Sequence, residues 1–377
     1  MKRANWTYLV ASALVLSTGI SVAGAKPTHH DKLSVVRSAT AGKGHYGHWK
    51  DGPTTTLVTT TTRPATTTTT THVTTTTAAP APTTTTTTAP PTTTTTAPPP
   101  PPAGTFLSYP HQSSPLSVSG SNVVVSNKSW VGFGSVALVV SNANNVYLHD
   151  LDFDGNVGDI FLINVTGTIR IENIRARNTG NGTIGSGHSN VIQFNNSWQG
   201  APNDGVSGVR NVQAYGGDTE DMISVYKSGG VDASHPLVLS DLHLESPLPP
   251  SSEAWSSGSG TCVNLADAGG HDIILQNSTL LNCGAVGIQM NEPTRVVAQN
   301  NVVYGAARTT SNVGLSQWSG SSCSTCTGNA YRNNRVWWVK PSGSGSAMWM
   351  SGNYPVADVG NAKQDATIVA GLLHVVL

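Results

Sequence analysis

The 377-residue chain contains little charge, and the charge it does contain is balanced. Lysine plus arginine and aspartate plus glutamate each number 20, so the formal net charge is zero and only 11% of residues are charged. A nucleic-acid-binding surface needs clustered basic side chains that neutralise phosphates. The composition therefore argues against a nucleic-acid partner and against attraction to a charged membrane surface.

The start of the chain lacks an apolar run long enough to cross a membrane. The stretch from Tyr8 to Leu16 follows a basic start and precedes a small-residue ending, Ala23 to Ala25. This order is typical of a secretory signal peptide cleaved before Lys26, whereas a spanning helix needs about 20 apolar residues. We therefore predict a signal peptide at residues 1–25, a secreted, extracellular protein, and no membrane span after cleavage.

The next two segments lack the apolar residues that a folded core requires. Residues 26–53 are polar and contain four histidines, and a disordered tail explains them better than a metal site because nothing fixes their geometry. Residues 54–103 are almost entirely Thr, Pro and Ala, which cannot offset the entropy of ordering the chain. We predict a disordered tether, which would hold one folded domain, residues 104–377, near a cell surface.

Cysteine is scarce, and all four cysteines lie in the predicted folded domain. An even number in an exported domain favours two disulfides. We predict that Cys323 pairs with Cys326 within one loop and that Cys262 pairs with Cys283. A zinc site would need a second close Cys or His pair near Cys323 and Cys326, and the sequence shows none.

The predicted domain also lacks helical spacing of its apolar residues, and a short phrase recurs instead. The phrase is a hydrophobic residue, any residue, then Asn or Asp, and eight spaced occurrences lie 23 to 38 residues apart. That interval is the period of a solenoid coil with insertions. Asn and Asp suit a tight bend because they tolerate left-handed backbone angles, and stacked coils would align them as a ladder. The eight positions are Asn127, Asp150, Asn173, Asn211, Asp241, Asn277, Asn300 and Asn333.

Each phrase is followed by a second short apolar run, so every repeat carries at least two strands. We predict an all-β protein, a right-handed parallel β-helix solenoid of about eight coils, in which each coil buries its inward residues against its neighbours. We expect a monomer. The second runs are residues 136–140, 160–164, 190–194, 222–227, 262–266, 286–290, 313–318 and 347–350.

Aligning the second runs by their inward residues predicts which side chains face outward. The outward side chains are amides, carboxylates and aromatic rings, which pair with sugar hydroxyls and cover the apolar faces of sugars. We therefore predict that this face binds an extracellular polysaccharide, although any solvated sheet face must be polar. The predicted substrate-binding residues are Gln193, Asn195, Tyr226, Asn264, Asp267, Gln289, Asn291 and Trp318.

Three carboxylates lie within four residues before one of these strands, at Asp218, Glu220 and Asp221, and Lys227 ends the strand. Acidic groups this close repel one another unless a cation lies among them or one of them holds a proton. The first arrangement describes a Ca²⁺ site. The second describes a raised-pKa acid beside an ionised carboxylate, as in glycoside cleavage. A solvated acidic turn is the third interpretation.

The repeats resemble the coils of the pectin-lyase-like right-handed parallel β-helix superfamily. The segment from Gly217 to Val225, with Lys227-Ser228-Gly229 after it, is similar to the polygalacturonase-type segment in which two acids precede an Ile-rich strand. On that likeness Glu220 and Asp221 match the paired catalytic acids of a glycoside hydrolase. The preceding coil reads Gly187-His188-Ser189-Asn190 where that pattern has Asn-Thr-Asp-Gly.

Polysaccharide lyases of the same superfamily hold Ca²⁺ against a uronate carboxylate and use a Lys or Arg as base. The resemblance implies Ca²⁺ at Asp218, Glu220 and Asp221, with Lys227 as base, and His188 is a further catalytic candidate. We therefore favour a Ca²⁺-dependent lyase acting on a uronate-containing glycan. The alternatives are an inverting hydrolase of polygalacturonase type and a non-catalytic carbohydrate-binding or adhesion scaffold, because a fold does not imply an activity.

Overall fold

The structure is a computed structural model that describes residues 105–180, 189–217, 219–246, 260–306, 313–318, 323–339, 346–350, 356–357, 364–371 and 377. The predicted signal peptide, the His-containing segment and the tether lie outside these residues, as do Asp218 and His188. No helix in the described part of the chain is long and apolar enough to cross a membrane.

The described residues form 21 β-strands and one 3-10 helix, Ala366–Gly371. The strands, numbered in chain order, are β1 (Leu116–Val131), β2 (Val136–Asp154), β3 (Gly158–Ile163), β4 (Thr166–Arg177), β5 (Ile192–Asn195), β6 (Trp198–Gln199), β7 (Gly208–Tyr215), β8 (Asp221–Tyr226), β9 (Gly229–Gly230), β10 (Leu237–Glu245), β11 (Thr261–Asp267), β12 (Gly270–Gln276), β13 (Thr279–Leu281), β14 (Val286–Asn291), β15 (Pro293–Gln299), β16 (Val302–Ala306), β17 (Val313–Trp318), β18 (Asn329–Arg332), β19 (Arg335–Val339), β20 (Met348–Met350) and β21 (Val356–Ala357).

The strands stack into three parallel faces, and each strand pairs with its equivalent one repeat earlier and later. Face 1 contains the first parts of β1 and β2 with β3, β5, β8, β11, β14, β17 and β20. Face 2 contains the strand segments directly before the Asn/Asp bend of each repeat. Face 3 contains the segments directly after the bend, and its last three strands are β13, β16 and β19. This topology is the predicted parallel β-helix, and its right-handed coiling stays a prediction.

The predicted bends are confirmed between faces 2 and 3. All eight Asn and Asp residues have left-handed backbone angles, with φ between 49° and 56°. The strand registers place them directly above one another in successive repeats. The side chains form part of a ladder, because Asn173 Nδ2 donates to Asp150 Oδ1 at 3.0 Å and Asn211 Nδ2 donates to Asn173 Oδ1 at 2.8 Å.

A second ladder, which the sequence analysis did not identify, lies where face 1 ends. Asn142, Asn164 and Asn196 also have left-handed backbone angles. Asn164 Nδ2 donates to Asn142 Oδ1 at 3.1 Å, and Asn196 Nδ2 donates to Asn164 Oδ1 at 2.8 Å. In the next repeat Lys227 takes this position with φ 47°, so the ladder stops at the strand that carries the acidic cluster.

The core consists of the inward side chains of the stacked strands. On face 1, Ile192, Ile223, Val263 and Ile288 are fully buried and pair in register from coil to coil. Each coil therefore buries its apolar residues against the coils on either side, as a solenoid requires. The structure also contains both expected disulfides, Cys262–Cys283 beside face 1 and Cys323–Cys326 within one loop.

The first described residues dock on face 3. Arg175 donates two hydrogen bonds to Asp152, at 2.7 and 2.8 Å, and a third to the carbonyl oxygen of Thr105. The backbone N–H of Leu107 donates to Asp152 at 2.7 Å. The segment entering the domain therefore covers a buried ion pair on the side of the solenoid.

Candidate functional site

The first outward row of face 1 has the predicted register. Gln193 pairs with Ser224, Ser224 with Asn264, and Asn264 with Gln289. Gln193 and Gln289 are partly exposed, whereas Ser224 and Asn264 are buried. The row is therefore neutral and polar, and its middle is closed to solvent.

The second outward row departs from the prediction at β11. Asn195 lies opposite Tyr226, and the next residue in the row is Asp267, whereas strict alternation from Asn264 would place Ala266 there. The register shifts between Asn264 and Asp267, and Ala266 is buried with a left-handed φ of 58°. An extra residue of this kind re-aims the side chains that follow it. The bulge places a carboxylate in the row.

Asp267 is held by the amide that follows it in the stack. Asn291 Nδ2 donates to Asp267 Oδ1 at 3.2 Å, and Asn291 Oδ1 accepts from Gln289 Nε2 at 2.8 Å. Trp318 pairs with Asn291 in β17, but its side chain lies outside the described set. The predicted substrate-binding residues at this end of face 1 thus form one connected chain of polar groups.

Asp221 is the buried acid of the candidate site. It is 8% exposed, and Asn264 Nδ2 donates to its Oδ2 at 3.1 Å. Burial raises the pKa of Asp221 to about 7; the hydrogen bond from Asn264 opposes this, and the negative charges of Glu220 and Asp267 reinforce it. At neutral pH this carboxyl group therefore carries a proton for part of the time, beside two other acids.

Glu220 is fixed through its backbone between two neighbouring coils. Its N–H donates to the carbonyl oxygen and to the Oγ of Ser189, both at 3.0 Å, and its carbonyl oxygen accepts from Gly260. The side chain is partly exposed. The residue is thus held at the entrance of β8, where the sequence predicted a catalytic or metal-binding acid.

A Ca²⁺ site takes six to eight oxygen ligands. Within the described residues, no group of three or more His, Cys, Asp or Glu side chains could hold a metal ion. Glu220 and Asp221 alone do not supply such a set, and Asp218 lies outside the described residues. Calcium binding stays a prediction.

Lys227 lies at the opposite end of β8 from the acids. It is exposed, and its Nζ is 5.0 Å from the centroid of the Tyr226 ring. It forms no salt bridge with any described residue. Five residues separate it from Asp221, so the two residues lie roughly 20 Å apart along an extended chain. The strand therefore holds the predicted base apart from Asp221.

A second buried acid, Asp159, lies on face 1 two coils before Asp221. Asp159 directly precedes Ile160, whereas Asp221 lies two residues before Ile223, which is in register with Ile160, so the two acids are one position apart along their strands. Thr179 Oγ1 donates to Asp159 at 2.6 Å and Asn156 Nδ2 at 3.1 Å, and burial raises the pKa of Asp159 to about 7. The sequence pattern did not single out this acid, although it directly precedes the apolar run 160–164 as Asp221 precedes the run 222–227.

An aromatic pair beside face 1 was also missed. The rings of Trp198 and His271 stack with their centroids 4.7 Å apart. Gly229 pairs with both residues and lies in the strand between them. His271 Nδ1 bonds to Asp272 at 2.7 Å, and Arg295 donates two hydrogen bonds of 2.6 Å to the same carboxylate. Trp198 lies two residues after the left-handed Asn196, whereas His271 lies three residues after the left-handed Ala268, so a fixed count from the bends does not find the pair.

Comparisons with known proteins do not identify a family. No protein-family model and no curated protein matches the chain. Among solved structures, the chain is similar to the A-module of a mannuronan C-5 epimerase from Azotobacter vinelandii at 12% identity, over 63% of this chain and 83% of that chain. The TM-score is 0.17, at which the likeness carries no argument about function.

Proposed function

We propose that the chain is an exported glycoside hydrolase that cleaves extracellular polysaccharide on face 1, with Asp221 as general acid. One observation carries the proposal: a buried carboxyl group, with its pKa raised to about 7, lies within electrostatic range of Glu220 and Asp267. A pair of carboxyl groups with different proton affinities is what inverting cleavage requires. The partly exposed Tyr226 and the amides of the outward rows supply the groups that would hold a sugar chain.

In the proposed reaction, protonated Asp221 donates its proton to the glycosidic oxygen as the bond to the anomeric carbon breaks. Glu220 or Asp267, in its ionised form, removes a proton from the water that attacks that carbon from the opposite side. Asn264 orients the acid through its hydrogen bond to Asp221, and Asn291 orients Asp267. Asp221 is reprotonated from solvent, and the ionised base gives up its proton before the next turnover.

A Ca²⁺-dependent lyase is the second candidate, and the exposed Lys227 without a described carboxylate partner favours it. Ca²⁺ bound by Asp218, Glu220 and Asp221 would acidify the proton next to a substrate carboxylate. Lys227 would have to take that proton, and the length of β8 between it and Asp221 argues for the hydrolase instead. Under the lyase proposal, a chelator should lower both activity and melting temperature, and added Ca²⁺ should restore them.

A non-catalytic binding or adhesion scaffold is the third candidate. Its support is Asp159, which is also buried on face 1 and also has a pKa raised to about 7, so an acid of this kind occurs away from the proposed centre as well. A tether before the domain suits such a role. Face 1 would then bind sugar without cleaving it.

Incubation with acidic and neutral polysaccharides separates the three candidates. New reducing ends and the ultraviolet absorbance of unsaturated products are followed together. The hydrolase should produce reducing ends without absorbance, and a lyase should produce both. Binding without either product would identify the protein as a non-catalytic binding scaffold and overturn the proposed activity.

A further inference from the structure

The two disulfides join residues at very different separations along the chain. Cys262 and Cys283 are 21 residues apart, and both are buried, at 0% and 1% exposure. Cys323 and Cys326 are 3 residues apart in one loop, where Cys326 is buried and Cys323 is partly exposed. A disulfide stabilises a fold mainly by restricting the unfolded chain, and the effect grows with the length of the loop that it closes. The short disulfide therefore stabilises the domain less than the long one, and solvent reaches one of its two residues.

The short disulfide constrains residues 323–327, the cysteine loop, which contacts the start of β15. Thr294 Oγ1 donates to the carbonyl oxygen of Thr325 at 2.7 Å. The N–H of Arg295 donates to the carbonyl oxygen of Thr327, also at 2.7 Å. Thr325 lies between the two cysteines, and Thr327 follows them directly. The positions of both acceptors therefore depend on the conformation that the disulfide imposes on the loop.

The backbone of Arg295 is held in an unusual conformation. Its φ is 53°, a left-handed angle that residues other than Gly, Asn and Asp adopt only when their surroundings hold them there. Its N–H bonds to the cysteine loop, and its guanidinium donates two hydrogen bonds of 2.6 Å to Asp272. Asp272 is 3% exposed, so Arg295 supplies the cation that compensates a buried carboxylate. The cysteine loop thus fixes the backbone of the residue on which the charge of Asp272 depends.

The contacts continue from Asp272 to the surface beside face 1. His271 Nδ1 bonds to Asp272 at 2.7 Å, and the His271 ring stacks on Trp198. A series of contacts therefore runs from the cysteine loop through Arg295 and Asp272 to Trp198. Such a series transmits a change only if one of its members has a second arrangement. Return of Arg295 from the left-handed conformation would provide that arrangement.

We propose that Cys323–Cys326 is a thiol-reactive site whose reduction releases Arg295 from the cysteine loop and from Asp272. The reductant is a low-molecular-weight thiol or a protein dithiol. Its thiolate attacks the Sγ of Cys323, the partly exposed residue of the pair, the S–S bond breaks, and Cys326 leaves as a thiolate that takes up a proton. A second thiol then displaces Cys323 as a thiol, and the reductant leaves as a disulfide, so two electrons pass to the cysteines. The proposal goes beyond the cleavage of polysaccharide and does not depend on it.

Reduction of the native protein tests the reactivity of the site. The full chain is incubated without denaturant in increasing concentrations of reduced glutathione, and free thiols are alkylated and located by mass spectrometry. Because access limits thiol–disulfide exchange, Cys323 and Cys326 should react at a glutathione concentration at least about tenfold lower than Cys262 and Cys283 require. Ser324→Ala changes an exposed residue between the cysteines and should react as the wild type does. Equal reactivity of the two disulfides, or resistance of the short one, would overturn the proposal.

Hydrogen exchange, followed by nuclear magnetic resonance, tests the release of Arg295. The Arg295 amide should exchange about tenfold faster in the reduced wild type, and in the double variant Cys323→Ser with Cys326→Ser, than in the oxidised protein. The amides of β4 should exchange at unchanged rates, which would exclude general unfolding. The reduced wild type alone gives the comparison if the double variant does not fold. An unchanged rate at Arg295 after selective reduction would overturn the release.

Two matched arginine variants test the last part of the series. Arg295→Gln keeps the disulfide and removes the cation beside Asp272, so it should shift the ring resonances of His271 in the direction in which reduction shifts them. Arg335→Gln makes the same change in the ion pair with Asp365 and should leave those resonances unchanged. A shift in Arg295→Gln that reduction does not reproduce would show that Arg295 stays on Asp272, and the proposed release would be wrong.

Discussion

Two buried aspartates on different faces show how the same group serves different purposes. Asp152, on face 3, is enclosed by Arg175 and by the backbone of the entering segment, so its charge is compensated. Asp221, on face 1, has a neutral amide as its hydrogen-bond donor and acidic neighbours, so burial raises its pKa to about 7. Because the charge of Asp152 is compensated, that group stabilises the fold. The charge of Asp221 lacks a cation of this kind, which is why we propose Asp221 as the proton donor.

Asp159 shares features with both Asp152 and Asp221. Its pKa is raised to about 7 like that of Asp221, yet its hydrogen bonds from Thr179 and Asn156 tie together the chain around β3, as the contacts of Asp152 do on face 3. It therefore provides the matched control for Asp221: a buried acid of similar proton affinity that lies two coils away.

The largest expected effect is on turnover in Asp221→Asn. A positioned general acid contributes roughly 10²- to 10⁴-fold to rate, so kcat should fall by that factor while polysaccharide binding is kept. Asp159→Asn removes a similar buried acid and should leave kcat nearly unchanged. Glu220→Gln and Asp267→Asn are assayed in the same way. The residue whose variant loses more kcat is the base. Wild-type turnover in Asp221→Asn would show that Asp221 is not the general acid.

The next largest effect concerns the compensated acid. Arg175→Leu leaves Asp152 buried without its cation, and breaking a buried pair in this way costs about 3–5 kcal/mol in the free energy of unfolding. The double variant Asp152→Leu with Arg175→Leu removes the buried charge altogether and should recover much of that loss. Urea unfolding followed by circular dichroism measures both. A small loss in the single variant would mean that water already compensates Asp152.

The pH dependence of stability tests whether burial keeps Asp159 protonated in the folded protein. An acid whose pKa is raised from 3.8 to about 7 binds more protons in the folded state than in the unfolded state between these values. The stability from Asp159 is therefore complete below about pH 4 and is lost as pH rises through about 7. Melting temperatures from pH 4 to 8 should decline less steeply in Asp159→Asn than in the wild type. Parallel curves would show that Asp159 ionises normally.

The parts of the fold that follow from local chemistry could be predicted from the sequence. The bends at Asp150, Asn173 and Asn211 were predictable because the left-handed preference of Asn and Asp is a property of each residue. The first outward row followed from strand alternation alone. Both inferences needed only the period of the repeat.

The parts of the site that depend on register or on distance along a strand could not be predicted. The bulge that places Asp267 opposite Tyr226 adds one residue to β11, and no alternation pattern marks it. Asp221 and Lys227 are close in sequence, but the extended strand between them keeps them apart in space. The partner of Asp152 depends on which coils are neighbours, which only the folded register defines.

The smallest expected effect comes from the ion pair next to Asp152 on the same face. Arg177 donates to Asp154 Oδ2 at 2.6 Å, but its side chain is 37% exposed, so solvent screens the charges. Exposed pairs contribute about 0.2–1 kcal/mol, so Arg177→Gln should lower the free energy of unfolding by no more than that. The loss should also shrink as salt is added. Because Asp152 and Asp154 lie two residues apart on β2, the contrast with Arg175→Leu isolates burial as the variable. A loss in Arg177→Gln as large as in Arg175→Leu would show that geometry, and not desolvation, governs both pairs.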